Sequence, residues 1–305
     1  MEHLSTVEVR TEPRRRFCFS IARQRSTMAV MLAGFAGLAG LMPGPAAAAK
    51  QLPLWEVGAG VGVISSPDYR GSDETATFVL PVPYFVYRGE RLRADRSGLR
   101  ARLFDSERVE TSLSLNATLP AHSKNNWARR GMPDLKPTVE LGGNVSLRLW
   151  HSPDAETKLE FRAPLRSAIT VESTPKQIGW LFAPSLNLDI ADPGGLSGWK
   201  MGMLAGPLFQ NREYNDHFYS VRPDQALPDR PAYRARGGYS GAQFMMTLSK
   251  RYRRHWVGGF LRYDNLNGAV FDDSPLVRDR SALSAGVAVS WIFGESSRMV
   301  DGVDF

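Results

Sequence analysis

From Ser281 to Phe293 the chain reads SALSAGVAVSWIF, and the residues divide into two unlike sets. Leu283, Ala285, Val287, Val289, Trp291 and Phe293 share one face of a strand, while Ser284, Gly286, Ala288 and Ser290 share the other. A strand that is apolar on one side and small and polar on the other stands between two different media. Two architectures offer that: a soluble sandwich or barrel with water outside, and a membrane barrel with lipid outside and a polar interior.

The same alternation recurs along the chain. Trp55, Val57, Ala59, Val61 and Val63 alternate with Glu56, Gly58, Gly60 and Gly62. Val109, Thr111, Leu113 and Leu115 alternate with Glu110, Ser112, Ser114 and Asn116, and Leu159, Phe161, Ala163 and Leu165 with Lys158, Glu160, Arg162 and Arg166. Trp55, Trp150, Trp180, Trp199, Trp256 and Trp291 fall near strand ends. Interfacial girdles need aromatics at that position, whereas a packed core places them mid-strand. The pattern predicts an all-β fold: a closed antiparallel transmembrane β-barrel of about 12 strands, with ten as the alternative count. The strands are expected over 54–64, 76–87, 91–95, 98–104, 108–119, 137–150, 157–169, 178–191, 199–210, 238–251, 255–265 and 281–293. Short turns (Arg88–Glu90, Asp105–Glu107, His151–Glu156, Asp192–Gly198, Tyr252–Arg254) alternate with connections that are mostly longer (65–75, 120–136, 170–177, 211–237, 266–280), the short hairpin near Asp95–Ser97 being the exception. An exported barrel with both termini in the periplasm shows that asymmetry. Pro81 and Pro83 inside the second strand predict a bulged or irregular strand there.

The first 49 residues read as a cleaved signal peptide. Arg14, Arg15, Arg16, Arg23 and Arg25 form a long basic n-region before the apolar run 28–42, and Ala46–Ala49 offers a small-residue cleavage site. The run is short for a membrane-spanning helix, which needs about 20 residues. The leader holds six arginines and three acids, so the formal charge falls from +7 to +4 in 50–305, with 32 basic against 28 acidic residues. That excess, without basic residues interleaved with aromatics, gives no reason to expect nucleic acid. Cys18 belongs to the leader, which leaves 50–305 without a thiol. The barrel domain is expected over 50–305, with 294–305 a short tail.

Three segments carry a family resemblance. The first is Ser66-Pro67-Asp68-Tyr69-Arg70-Gly71-Ser72-Asp73, followed by Leu80-Pro81-Val82-Pro83-Tyr84-Phe85. The second is the tyrosine-rich loop NREYNDHFYSVRPDQALPDRPAYRARGG from Asn211. The third is Leu266-Asn267-Gly268-Ala269 with Asp273-Ser274-Pro275-Leu276-Val277. In this order and spacing they resemble the MltA-interacting protein (MipA/OmpV) family of outer-membrane proteins, over 54–293. The resemblance implies a location in the outer membrane of a Gram-negative bacterium. It also implies a non-enzymatic scaffold linking a lytic transglycosylase to a murein synthase; other members are described as adhesins. It makes Tyr69, Gly71, Ser72, Asp73, Tyr214, Tyr219, Tyr233, Asp273, Ser274 and Pro275 candidate interaction or mouth-closing residues.

Parity along the strands turns Arg100, Arg102, Glu140, Arg148, Lys158, Glu160, Arg162 and Arg166 into the lumen. Such charges line a narrow aqueous path or close it as mutual ion pairs, since an isolated buried ion costs several kcal/mol. The first alternative makes the protein a small-solute channel. Asp216-His217 and Asp272-Asp273 are weighed as a hydrolytic pair and read as turn-forming loop residues. His122, His151 and His255 are isolated and off metal-ligand spacing. The sequence therefore implies no catalytic residue, no metal and no cofactor. The partners expected are outer-membrane lipid and, from the resemblance, the two murein enzymes.

Overall fold

The computed structural model describes residues 51–89, 92–95, 98–101, 108–154 and 156–301, with backbone alone for 92–95, 98–101 and 301. The expected leader with Cys18, and Arg102, lie outside the described residues, and the side chain of Arg100 is not described.

Fifteen strands are described: β1 Gln51–Pro53, β2 Trp55–Pro67, β3 Thr75–Arg88, β4 Leu92–Asp95, β5 Gly98–Ala101, β6 Val109–Thr118, β7 Thr138–His151, β8 Thr157–Thr170, β9 Gln177–Phe182, β10 Ser185–Ala191, β11 Trp199–Gln210, β12 Gly238–Arg251, β13 His255–Asn265, β14 Ser281–Glu295 and β15 Met299–Asp301. One helix, α1, spans Arg212–Tyr219. No described helix is long and apolar enough to cross a membrane.

Strands β2 to β14 form one antiparallel sheet in which sequence neighbours pair, β9 and β10 excepted, and β14 also pairs with β2, Val287 opposite Val63. Three details correct the sequence reading. The strand expected over 178–191 is broken at Ala183-Pro184 into β9 and β10, both of which pair with β8 and with β11. Proline has no N–H to give a ladder, so the pairing lapses there and resumes. The second correction concerns Pro81 and Pro83. The register between β2 and β3 runs through both without a bulge. Residues two apart in an antiparallel strand send their N–H to the same side, so both prolines turn their missing donors away from β2. The third concerns the end of the chain. β14 continues past Phe293, and the segment beyond it is paired: β15 lies antiparallel to β1, Leu52 opposite Val300.

The two faces of the sheet are inverted relative to a soluble protein. Val79, Val287 and Phe293 are 70 %, 67 % and 73 % exposed, while Glu56, Glu140 and Ser290 are buried. Removing a side chain of that size from water gains about 1.5–3 kcal/mol. An apolar surface spread over nearly every strand makes sense only against an apolar medium.

That inversion has a direct test. Arginine in place of Val287, midway along the outer face of β14, is expected to destabilise the vesicle-embedded protein by about 2–4 kcal/mol. Reversible denaturant unfolding in lipid vesicles measures it; an unchanged midpoint would mean that this face meets water.

Candidate functional site

The loops after β2, β6, β11 and β13 gather at one end of the sheet and share a hydrophobic cluster. Helix α1 organises it. Asn211 caps the helix, its side chain accepting the Tyr214 N–H at 3.1 Å, and Glu213 sits in the positively polarised first turn. Tyr214, Asn215, Phe218 and Tyr219 recur at helical spacing and are buried together. The helix start lies directly on β9 at Gly179. There φ is +135°, and a Cβ would stand 2.4 Å from Asn211 Oδ1 and 2.5 Å from Tyr214 N. Only glycine lets the two approach so closely.

The expected loop residues meet in this cap. Tyr69 donates its hydroxyl to the Leu276 carbonyl at 2.8 Å, and Tyr219 donates to the Arg70 carbonyl at 2.9 Å while stacking on Phe271 at 3.7 Å. Gly71, at φ +100°, accepts the Arg278 N–H at 2.7 Å. Ser72 accepts from Asn126 Nδ2 at 2.9 Å, and Ser274 donates to the Tyr219 carbonyl at 2.7 Å. Tyr233 donates to Asp273, Pro275 lies half-buried between Ser274 and Leu276, and Asp73 faces Arg278 across 3.8 Å at the exposed rim. Burial pushes the hydroxyls of Tyr69, Tyr214 and Tyr219 well above the usual tyrosine range, so all three remain donors.

Two buried arginines that the sequence reading missed stitch the loops together. Arg129 donates to the Phe218 and Pro133 carbonyls, and Arg230 to the carbonyls of Ala128, Arg130 and Gln225. Burial lowers the pKa of both. Nothing in the sequence marks them, because loop contacts have no period.

Below the cap Glu140, Lys158, Glu160, Arg162 and Arg166 share the face of the sheet opposite its exposed apolar side chains, and all five are buried or half-buried. Glu140 accepts from Arg166 Nε and Asn116 Nδ2, each at 3.0 Å, and from the Tyr214 hydroxyl at 2.8 Å. Arg162 bridges Glu160 at 2.9 Å and Asp189 at 3.1 Å, with Lys158 beside both carboxylates. Arg148 does not join them: it is exposed near the turn end, at the register shift before Trp150, and its side chain makes no ion pair among the described residues. Parity along 255–265 also places Arg262 and Asp264 inside, and Arg70 reaches down from the cap to Asp264 at 2.8 Å. At the turn end Glu56, fully buried, is held by Arg88 and Arg251 at 3.2 Å each and by the Tyr84 hydroxyl at 2.9 Å.

Between the cap and that turn-end cluster lies a cavity of about 680 Å³. Lys158, Arg162, Arg166 and Asp189 line one wall; Leu80, Val82, Met245, Trp256 and Phe260 line the other. No cluster of three metal-binding side chains occurs among the described residues. The loop acids weighed for hydrolysis have structural partners: Asp216 accepts from Ser220 and pairs with Arg212, and Asp272 accepts the Gly268 N–H.

The family model described as MltA-interacting protein MipA matches residues 59–293. Outer membrane protein OmpV of Vibrio cholerae is 25 % identical over 215 residues, covering 68 % of this chain and 76 % of the relative. Outer membrane protein Omp26La of Vibrio anguillarum is 24 % identical over 242 residues, covering 76 % and 85 %. Among solved structures, an outer membrane channel from Pseudomonas putida F1 overlaps 83 % of this chain and all of its own, at 12 % identity and a TM-score of 0.43. That likeness is too distant to carry any property across.

One histidine makes the cap sensitive to pH. His217, half-buried against Phe218, has its pKa lowered to about 4, first by burial and then by Arg129 nearby. The unfolded segment takes up a proton near pH 6.5, before the folded one does. The stabilisation is therefore complete above pH 6.5 and is lost as pH falls toward 4. The thermal midpoint of the near-ultraviolet circular dichroism of the cap tyrosines should drop between pH 7 and pH 4.5, and the drop should shrink in His217→Gln. An equal drop in both proteins would assign the effect to other groups.

Proposed function

The chain belongs to the MltA-interacting protein MipA family, and on that premise we propose that it is a closed twelve-stranded barrel across the outer membrane that holds murein enzymes and catalyses nothing itself. Counting β9 and β10 as one interrupted strand, the pairing passes through twelve strands from β2 to β14 and back to β2. That count supports closure, which leaves no free edge in hydrocarbon where the ring is complete.

One observation carries the functional reading: the four long loops pack into a single buried cap over one mouth. A barrel so capped is a poor diffusion pore. The other end presents short turns, together with the ribbon of β1 and β15. With both termini in the periplasm, that end faces the murein layer. The partners in this reading are a lytic transglycosylase, the class the family description points to, and a murein synthase. The tension between extracellular family segments and periplasmic partners then resolves: the segments shut the mouth, and the short-turn end meets the enzymes. The small-solute channel draws its support from the 680 Å³ cavity and requires the cap to open.

Two measurements test this. Purified protein in planar bilayers should show no steady open conductance, and excision of 221–235 from the cap should produce one. Solubilised envelopes should yield a lytic transglycosylase with the tagged protein, and excision of 299–301, which removes the ribbon, should lower its recovery. Steady conductance of the intact protein would dismiss the closed cap. Absence of any murein enzyme from the captured material would dismiss the scaffold.

A further inference from the structure

We infer that the interior cavity binds an amphiphile with an apolar body and an anionic head, and that it opens sideways to the membrane between β3 and β6. The inference rests on the barrel reading above and goes beyond it. Its first support is a gap in the pairing. Among the described residues the hairpin β4–β5 is short: β3 meets β4 at Tyr87 and Arg88, and β6 meets β5 from Thr111 to Leu113. Among the described residues, β3 from Thr75 to Val86 pairs on one side alone, with β2. Ser114 to Thr118 of β6 likewise pair only with β7. Pro81 and Pro83 lie on this unpaired edge of β3. An unmatched N–H facing hydrocarbon costs several kcal/mol, and proline has none to leave unmatched. The prolines thus remove two of the donors that this edge would otherwise leave unmatched.

The faces beside the gap give the second support. β3 is apolar on both sides: Val79 and Phe85 look outward, while Phe78, Leu80 and Val82 look inward. A strand facing only water on its inner side has no use for the second set. Asn116 faces in from β6 and is nevertheless exposed, at a place where no described strand adjoins it on the β5 side. Leu80, Val82, Leu115 and Asn116 all border the cavity, so the gap and the cavity are continuous. At about 680 Å³ the cavity falls in the usual range for small-molecule sites, about 300–1,000 Å³.

The charged wall determines the head. Asp189 on the wall and Glu140 and Glu160 behind it are occupied, Glu140 by Arg166, Asn116 and Tyr214, and Glu160 and Asp189 by Arg162 and Lys158, while Glu156, which also lines the cavity, is exposed. A guanidinium has five N–H donors, and Arg166 commits Nε to Glu140 and Nη1 to Ser114. Lys158, Arg162, Arg166, Lys200 and Arg262 line the cavity against Glu156 and Asp189, so cationic donors outnumber carboxylates there, and a carboxylate or phosphate head complements the wall. The apolar body then lies along Leu80, Val82 and Phe260.

Protein in nanodiscs of zwitterionic lipid, titrated calorimetrically against empty discs with decanoate, decanol and decylammonium, tests this. Decanoate should bind saturably at one per protein, decanol at least ten-fold more weakly, and decylammonium no more than to lipid alone. Arg166→Gln should weaken decanoate at least ten-fold and leave decanol unchanged. Met245→Trp, which fills the apolar wall and leaves every ion pair in place, should abolish both. A decanoate signal equal to that of empty discs, or undiminished by Met245→Trp, overturns the inference, as does equal binding of decylammonium. Heat-modifiable migration of the same samples reports the barrel separately, so a folded barrel that binds nothing sinks the site and leaves the barrel standing. An anionic phospholipid in the discs distinguishes the sources. Competition with decanoate assigns the site to a bilayer lipid, and undiminished binding to a free solute; both uphold it.

Discussion

A carboxylate shut away from water must be answered by donors, and in this protein Glu140 is where that requirement binds the most structure together. Its two oxygens take Arg166 from β8, Asn116 from β6 and the hydroxyl of Tyr214 from the cap helix. Three adjacent strands and the largest loop thus share one charge. Removing one partner of such a buried group costs about 3–5 kcal/mol, because the charge stays behind without an answer. The cap is accordingly fixed to the wall at a point where slippage is expensive. Arg70 to Asp264 is a second such tie, on the opposite side of the helix in sequence and from a different loop.

The same requirement explains why the interior is ordered as it is. Lys158, Glu160 and Arg162 alternate in sign along β8, so Glu160 is answered by both neighbours on its own strand, and Asp189 of β10 answers Lys158 and Arg162 across the ladder. At the turn end Glu56 gathers Arg88 from the adjacent β3 and Arg251 from β12, three strands away on the other side. The inner charges are therefore part of the wall's cohesion. The outer apolar face supplies none of it directly, because hydrocarbon is as good a neighbour for Val287 as another valine would be.

Much of this was legible because a period-two pattern between unlike media leaves little freedom. Glu140, Lys158, Glu160, Arg162 and Arg166 were assignable to the inner face by counting. Counting failed wherever the ladder is interrupted or too brief to have a period. The break at Ala183-Pro184 falls inside a run whose alternation looks continuous, and β1 and β15 have three residues each, far apart in the chain. Arg148 has the right parity and the wrong height: it sits past the enclosed stretch, where the strand end reaches solvent. The cap was visible as tyrosine-rich loops and nothing finer, since its contacts join residues as distant as Tyr69 and Leu276 through single hydrogen bonds.

The prolines of β3 show how a local irregularity can carry more than local meaning. Read alone, two prolines in a strand suggest a defect, and a bulge is the usual accommodation. Here the strand stays regular, so the missing donors have to be tolerated by the edge they face. Among the described residues that edge has no partner from Thr75 to Val86, which ties a feature of two residues to the opening inferred above. The inward Leu80 and Val82 flank those prolines on the chain itself, so the residue that removes the backbone donor and the residue that greases the entrance alternate along one stretch of strand. A wall closed at this point would need neither.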